Sequence, residues 1–218
     1  MCIVSIYSHS DNEIILTQNR DESILRPTAE NIQTKQIHEK LYTGPVDLVS
    51  GGTWMYHSED YLVCLLNGGY QKHKHQPPYR MSRGILVLEL LRYRFIDKFT
   101  KEVKLHGIEP FTMIMISRKS NEKKILVWDG NQKSIEDVSE QNLVVRSSST
   151  LYSDEEKTHH KKYFENLKGD YNPKKIKKIH HQLKMLKNNK FPTVQTTSIT
   201  QITQSKDLVK LKFCPIKT

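Results

Sequence analysis

The chain has 218 residues, 36% of them hydrophobic, and a formal net charge of +10. That length suits a single domain over residues 1–218, because single cores stop growing at about 250–300 residues. No run approaches the ~20 apolar residues of a membrane helix, no basic-then-apolar leader opens the chain, and Cys2, Cys64 and Cys214 form no C-x-x-C pair. Transmembrane spans, secretion and disulfide frameworks are therefore not expected, and a reducing cytoplasm is the simplest home.

In chain order, IVSIYS (3–8) and NEIILTQ (12–18) read as two β-strands joined at HSDN, an N-terminal hairpin. The charged NRDESILRPTAE that follows reads as a loop, and a polar stretch runs on from it to Gly44-Pro45. TWMYHS and YLVCLLN are strand-like and are separated by the turn-prone Ser58-Glu59-Asp60. Ser82 is a helix N-cap for RGILVLELLRYRF, whose dense apolar content implies a helix buried on more than one side. PFTMIMIS, KKILVWD, a DGN turn, SIEDV and NLVVRSS then read as an antiparallel meander.

Ser153 to Glu156 fits a capping box opening a helix to about Leu167. Asn172-Pro173 makes an N-cap and first-turn pair for a second helix, with Ile176, Ile179, Leu183 and Leu186 on one face and lysines over the rest. TVQTTSITQIT and LVKLKFCPI close the chain as strands around Gln204 to Asp207. Strands at both ends and helices between them give an α+β fold with at least one antiparallel sheet. The lysine-rich segment 157–190 is by default a solvated face. A basic face also suits nucleic acid, anionic lipid or an acidic ligand, but names no specific nucleic-acid partner.

Four features carry chemistry. Cys2 follows the initiator methionine, and removal of Met1 would leave a thiol and an α-amine on one residue. Their ordinary pKa values, about 8.5 and about 7.7–8.0, lie close enough for the amine to take the thiol proton. The default is an inert buried thiol. Asn19-Arg20-Asp21 follow the second strand, and an antiparallel hairpin brings them to the same end as Cys2. There Arg20 lowers the thiol pKa and Asp21 orients the amine or a substrate amide, or the group is a loop salt bridge. Asn67, before two glycines, suits an oxyanion donor or an ordinary Asn-Gly turn. GGTW (51–54) is a glycine turn, with Trp54 as a pocket wall. The ten histidines lack metal-ligand spacing, so no zinc site is expected, whereas haem needs only one or two ligands. No phosphate-binding glycine motif is present.

Taken together, Met1-Cys2, QNRDES with Arg26-Pro27, GGTW, LLNGGY, PYRMSRG, PFTMIMIS, SSSTLYSDEE and TVQTTSIT resemble the NRDE family, also called the transport and Golgi organisation protein 2 family. The resemblance implies a four-layer αββα sandwich of two antiparallel sheets, the N-terminal-nucleophile hydrolase fold. It also implies a distant likeness to the penicillin acylase and bile-salt hydrolase branch, which cleaves non-peptide amides. By that likeness Cys2 is nucleophile and base, Asn19, Arg20 and Asp21 support it, Asn67 binds the oxyanion, and Trp54 and Arg83 contact the substrate. That branch spaces its arginine and aspartate as R-x-x-D, while here they are adjacent, so their individual roles stay open. Two functions follow as expectations. One is a cysteine amidohydrolase acting on a small molecule without a cofactor; the other is a non-enzymatic carrier of haem or another anionic amphiphile.

Overall fold

The computed structural model describes residues 2–10, 13–28, 30–120, 122–167, 169, 171–206 and 208–216, the side chain of residue 10 excepted. Met1 and parts of the HSDN and Gln204-to-Asp207 turns lie outside them. In chain order the elements are β1 (Cys2–Ser10), β2 (Glu13–Ser23), β3 (Gln33–Ile37), β4 (Lys40–Gly44), β5 (Met55–Ser58) and β6 (Tyr61–Asn67). There follow α1 (Arg83–Leu86), a 3-10 turn (Val87–Arg92), α2 (Ile96–Glu102), β7 (Phe111–Ser117), β8 (Lys123–Trp128), β9 (Lys133–Asp137) and β10 (Leu143–Ser147). Then come α3 (Asp154–Glu165), α4 (Pro173–Gln182), β11 (Val194–Ser205) and β12 (Leu208–Pro215). They form two compact units, residues 1–27 with 141–218 and residues 28–140.

The first unit holds a five-stranded antiparallel sheet in the order β10-β1-β2-β11-β12, with α3 and α4 on one face. The N-terminal hairpin forms as expected, with Cys2 opposite Arg20 and Ile3 opposite Asn19. The NRDE segment is not a loop: β2 runs through Ser23 because β1 and β11 both pair with it, and residues 14–21 are buried throughout. Partners on both sides satisfy the backbone groups that a charged loop would leave to water. Tyr7, Ile15, Phe164, Ile176 and Ile179 pack the helices onto the sheet, beside a second cluster of Ile3, Leu151, Tyr152 and Val194.

Both helix starts are as the sequence indicates. Ser153 Oγ accepts from Glu156 N while Glu156 bonds back, and Asn172 Oδ1 accepts from Lys175 N ahead of Pro173. However, α4 ends at Gln182, so Leu183 is its cap and Leu186 lies beyond it, 74% exposed.

The second unit is a seven-stranded antiparallel sheet in the order β3-β4-β5-β6-β7-β8-β9. Its first two strands fall in the polar stretch before Gly44-Pro45, where β3 is an exposed edge with no apolar alternation to mark it. β7, β8 and β9 form the expected meander, but β10 leaves it to pair with β1 in the other sheet. Ser82 caps a helix of only four residues, and the apolar run continues as 3-10 turns. Buried Leu86, Val87, Leu88, Leu90 and Leu91 crowd neighbouring positions rather than one 3.6-residue stripe. α2 has no counterpart in the sequence reading.

GGTW meets this helix start directly. Thr53 N donates to Gly84 O at 3.0 Å, and a Cβ on Gly52 would lie 2.4 Å from the Gly84 carbonyl carbon. Gly51 differs: it adopts φ +71° with nothing within 4 Å of a Cβ. Gly52→Ala is therefore expected to cost at least about 1–3 kcal/mol by forcing two backbones apart. Gly51→Ala should cost only about 1 kcal/mol of left-handed strain. Denaturant unfolding of the two variants checks the order; equal losses would refute it.

Candidate active site

The site residues expected from sequence fall into two groups, one in each unit. In the first, Cys2 opens β1, is 2% exposed, and anchors its carbonyl to Ser148 N at 2.9 Å. Burial pushes the Cys2 thiol up; the Asp21 charge adds to this and the Arg20 charge opposes it. The thiol as it stands is thus held neutral, and activating it requires a base.

Arg20, directly across from Cys2, shares its sheet face, because cross-strand partners project to the same side. Its Nη1 donates to Thr197 Oγ1 at 3.2 Å, and Thr197 Oγ1 donates to the Arg20 carbonyl at 3.1 Å. Thr197 is the extra residue of a β-bulge in β11, where the register shifts between Thr196 and Ser198. Bulges of this kind re-aim side chains beside functional sites.

Asp21 is fully buried and accepts two short hydrogen bonds, from Tyr152 Oη at 2.7 Å and Thr196 Oγ1 at 2.6 Å. Thr196 Oγ1 also accepts from Met185 N at 2.8 Å, so its single proton is committed to Asp21. Burial raises the Asp21 carboxyl to about 6, with the two hydroxyl donors pulling the other way. The Tyr152 phenol is pushed far up by burial and by Asp21, and stays a donor.

Asn19 turns the other way, toward α4. Its Nδ2 donates to the carbonyls of His180 at 2.9 Å and Leu183 at 3.4 Å, which leaves Oδ1 as the acceptor for His180 Nδ1 at 2.8 Å. His180 therefore carries its proton on Nδ1, and Ser5 Oγ donates to Nε2 at 2.8 Å. Burial lowers His180 to about 3, so the ring is neutral. Asn19 thus clamps the helix to β2 one residue before Arg20.

The second group surrounds the end of β6. Trp54 is buried and its carbonyl accepts from Leu65 N at 2.8 Å. Asn67 ends β6, half-buried, and Gly68 N donates to Pro110 O at 2.9 Å. Arg83 Nη1 donates to the same carbonyl at 3.0 Å while its Nη2 lies 2.9 Å from Glu109 Oε2. His73 and His75 meet the other Glu109 oxygen at 3.2 and 3.1 Å. Gly68, the residue after Asn67, and Arg83 thereby share the Pro110 carbonyl.

Tyr152, Thr196, Thr197, Ser5 and His180 were not singled out from sequence. The first three sit inside SSSTLYSDEE and TVQTTSIT, but nothing in those strings says that Tyr152 and Thr196 hold a carboxylate or that Thr197 meets Arg20. Among the described residues no three His, Cys, Asp or Glu side chains gather as a metal site, and no helix is long and apolar enough to cross a membrane.

A family model described as Transport and Golgi organisation 2 matches residues 1–215. No curated protein matches the chain. Among solved structures, a variant of conjugated bile acid hydrolase from Clostridium perfringens is similar at 8% identity, covering 99% of this chain and 97% of its own, with a TM-score of 0.58. A second variant of that enzyme, with alanine in place of cysteine at position 2, covers 100% and 97% at 8% identity and TM-score 0.59. Penicillin V acylase from Agrobacterium tumefaciens covers 99% and 86% at 8% identity and TM-score 0.56. These likenesses identify an N-terminal-nucleophile hydrolase fold, α+β with two antiparallel sheets, as the sequence leads one to expect.

Asp21 generates a pH test. Its carboxyl holds a proton more tightly folded, at about 6, than unfolded, at about 3.8. The native state then binds more protons across that window, and this residue's contribution to stability falls as pH rises from about 4 to 6. Buried neutral His180 contributes with the opposite slope, so the difference between variant and wild type isolates Asp21. Asp21→Asn is expected to be more stable than wild type at pH 7 by about 1–3 kcal/mol, with the gain gone near pH 4. Guanidinium unfolding at both pH values checks this; an equal loss at both would contradict it.

Proposed function

Since the chain belongs to the Transport and Golgi organisation 2 family and has an N-terminal-nucleophile hydrolase fold, we propose that it is a cysteine amidohydrolase with Cys2 as nucleophile. The observation that carries this reading is the pairing of Cys2 with Arg20, next to a buried carboxylate kept at a cost to stability. Buried groups with perturbed protonation concentrate where chemistry is done.

The reaction begins after Met1 is cleaved. The Cys2 α-amine takes the thiol proton, and Sγ attacks the carbonyl carbon of a non-peptide amide. The C–N bond breaks, the amine departs with the proton from the α-ammonium, and the acyl group stays on Sγ as a thioester. A water deprotonated by the α-amine adds to that thioester, the C–S bond breaks, and the acid leaves. Arg20 stabilises the thiolate, and Asp21 orients the ammonium. The β11 hydroxyls of Ser198 and Thr200, buried and without a hydrogen-bond partner among the described residues, line the sheet face that bears Cys2 and Arg20.

A second reading, carriage of haem or another anionic amphiphile, is favoured by one feature. A cavity of about 430 Å³ lies at the far end of β1 and β2, where Tyr7, Ile14, Ile15, Pro173 and Leu208 provide apolar walls and His9, Lys210 and Glu13 polar groups of both signs. Its size and mixed lining suit a small amphiphile.

Intact-mass spectrometry separates the two readings. The hydrolase requires a mature chain beginning at Cys2 that is labelled there by a thiol-reactive amide analogue, with labelling lost in Cys2→Ala; complete retention of Met1 would end that reading. The carrier requires a Soret shift on haem titration that weakens in His9→Ala and Lys210→Glu, and no shift would remove it.

A further inference from the structure

Of the three thiols, Cys2 and Cys64 are buried and Cys214 is partly exposed, on the edge strand β12. Cys214 pairs with Ile199, and Ile199 with Asn19, so the three share one row across the sheet, on the face that carries α4. Lys177 and His180, three residues apart on α4, both reach that row. His180 meets Asn19, while Lys177 Nζ donates to Cys214 Sγ at 2.9 Å. Lys174, Lys175 and Lys178 stay exposed, as a solvated face should, but Lys177 is only half-exposed. Its amine is committed to a sulfur on another element.

We propose that Cys214 and Lys177 form an oxidation-dependent covalent link between β12 and α4. The thiolate is the form that attacks peroxides. With hydrogen peroxide as oxidant, Sγ attacks one peroxide oxygen, the O–O bond breaks, and Cys214 becomes a sulfenic acid while hydroxide leaves and is protonated to water. Sulfenic acids condense with nearby nitrogen nucleophiles to sulfenamides. After Nζ has lost its extra proton to solvent, its lone pair attacks Sγ and the S–O bond breaks. The departing hydroxide takes a proton from nitrogen, which leaves an S–N bond and water. A thiol reductant restores the thiol and the amine and is itself oxidised to a disulfide. Neither other cysteine is placed to resolve the sulfenic acid: β2 and β11 lie between Cys2 on β1 and the edge strand β12, and Cys64 is buried within the other unit. The amine is already at contact distance, so capture within the protein outruns a second oxidation.

The inference is independent of any activity at Cys2. The test is peptide mass spectrometry of the full chain after a several-fold molar excess of hydrogen peroxide, digested without reductant. The expected product is a linked pair of peptides containing residues 177 and 214, two hydrogens lighter than their sum and separated by dithiothreitol. Lys177→Arg keeps the positive charge but cannot make the link. It should lose the linked pair entirely, and its Cys214 should instead accumulate as sulfinic acid. Wild-type Cys214 recovered as unlinked sulfinic acid, or left unoxidised, would overturn the proposal.

Discussion

The pairing of β2 on both of its edges is the constraint on which the N-terminal site depends. Flanked by β1 and β11, the strand has its backbone groups satisfied and its side chains buried from Ile14 to Asp21. A run containing Gln18, Asn19, Arg20 and Asp21 can occupy such a place only if neighbouring elements supply partners, because burying polar groups without them is strongly unfavourable. Those partners come from distant parts of the chain: His180 and Leu183 for Asn19, Thr197 for Arg20, and Tyr152 and Thr196 for Asp21.

Alternation along β2 divides the work. Arg20 shares a face with Cys2, while Asn19 points to the helix side and fixes α4. The bulge in β11 sets Thr196 opposite Asp21 and Ser198 opposite Arg20, with Thr197 between them bonded to Arg20. Burial works against the Asp21 carboxylate, which water would solvate better, and the Tyr152 and Thr196 hydroxyls offset part of that penalty.

The second unit adds close backbone contacts to the side-chain network that Arg83, His73 and His75 make on Glu109. Gly52 lets the Gly84 backbone approach, and Pro110 O gathers donors from Gly68 and Arg83. The motifs GGTW, LLNGGY and PYRMSRG are thus parts of one packed junction. Their glycines and arginine are structurally engaged, in addition to any contact with a substrate.

Local patterns in the sequence determined the N-terminal hairpin and its approach of Cys2 to Arg20, both helix caps, the central strands and the absence of long apolar spans. Each rests on neighbouring residues: alternation of side chains, capping hydroxyls and turn formers. Tertiary structure alone decided that NRD lies within a strand, that β3 and β4 exist, that β10 crosses to the other sheet and that the apolar run after Ser82 is mostly 3-10. It also decided that Tyr152, Thr196, His180 and Lys177 meet Asp21, Asn19 and Cys214. Those contacts join positions separated by 37 to 175 residues, and no local propensity carries information over such a span; only the packing of whole sheets and helices brings the groups within hydrogen-bonding distance.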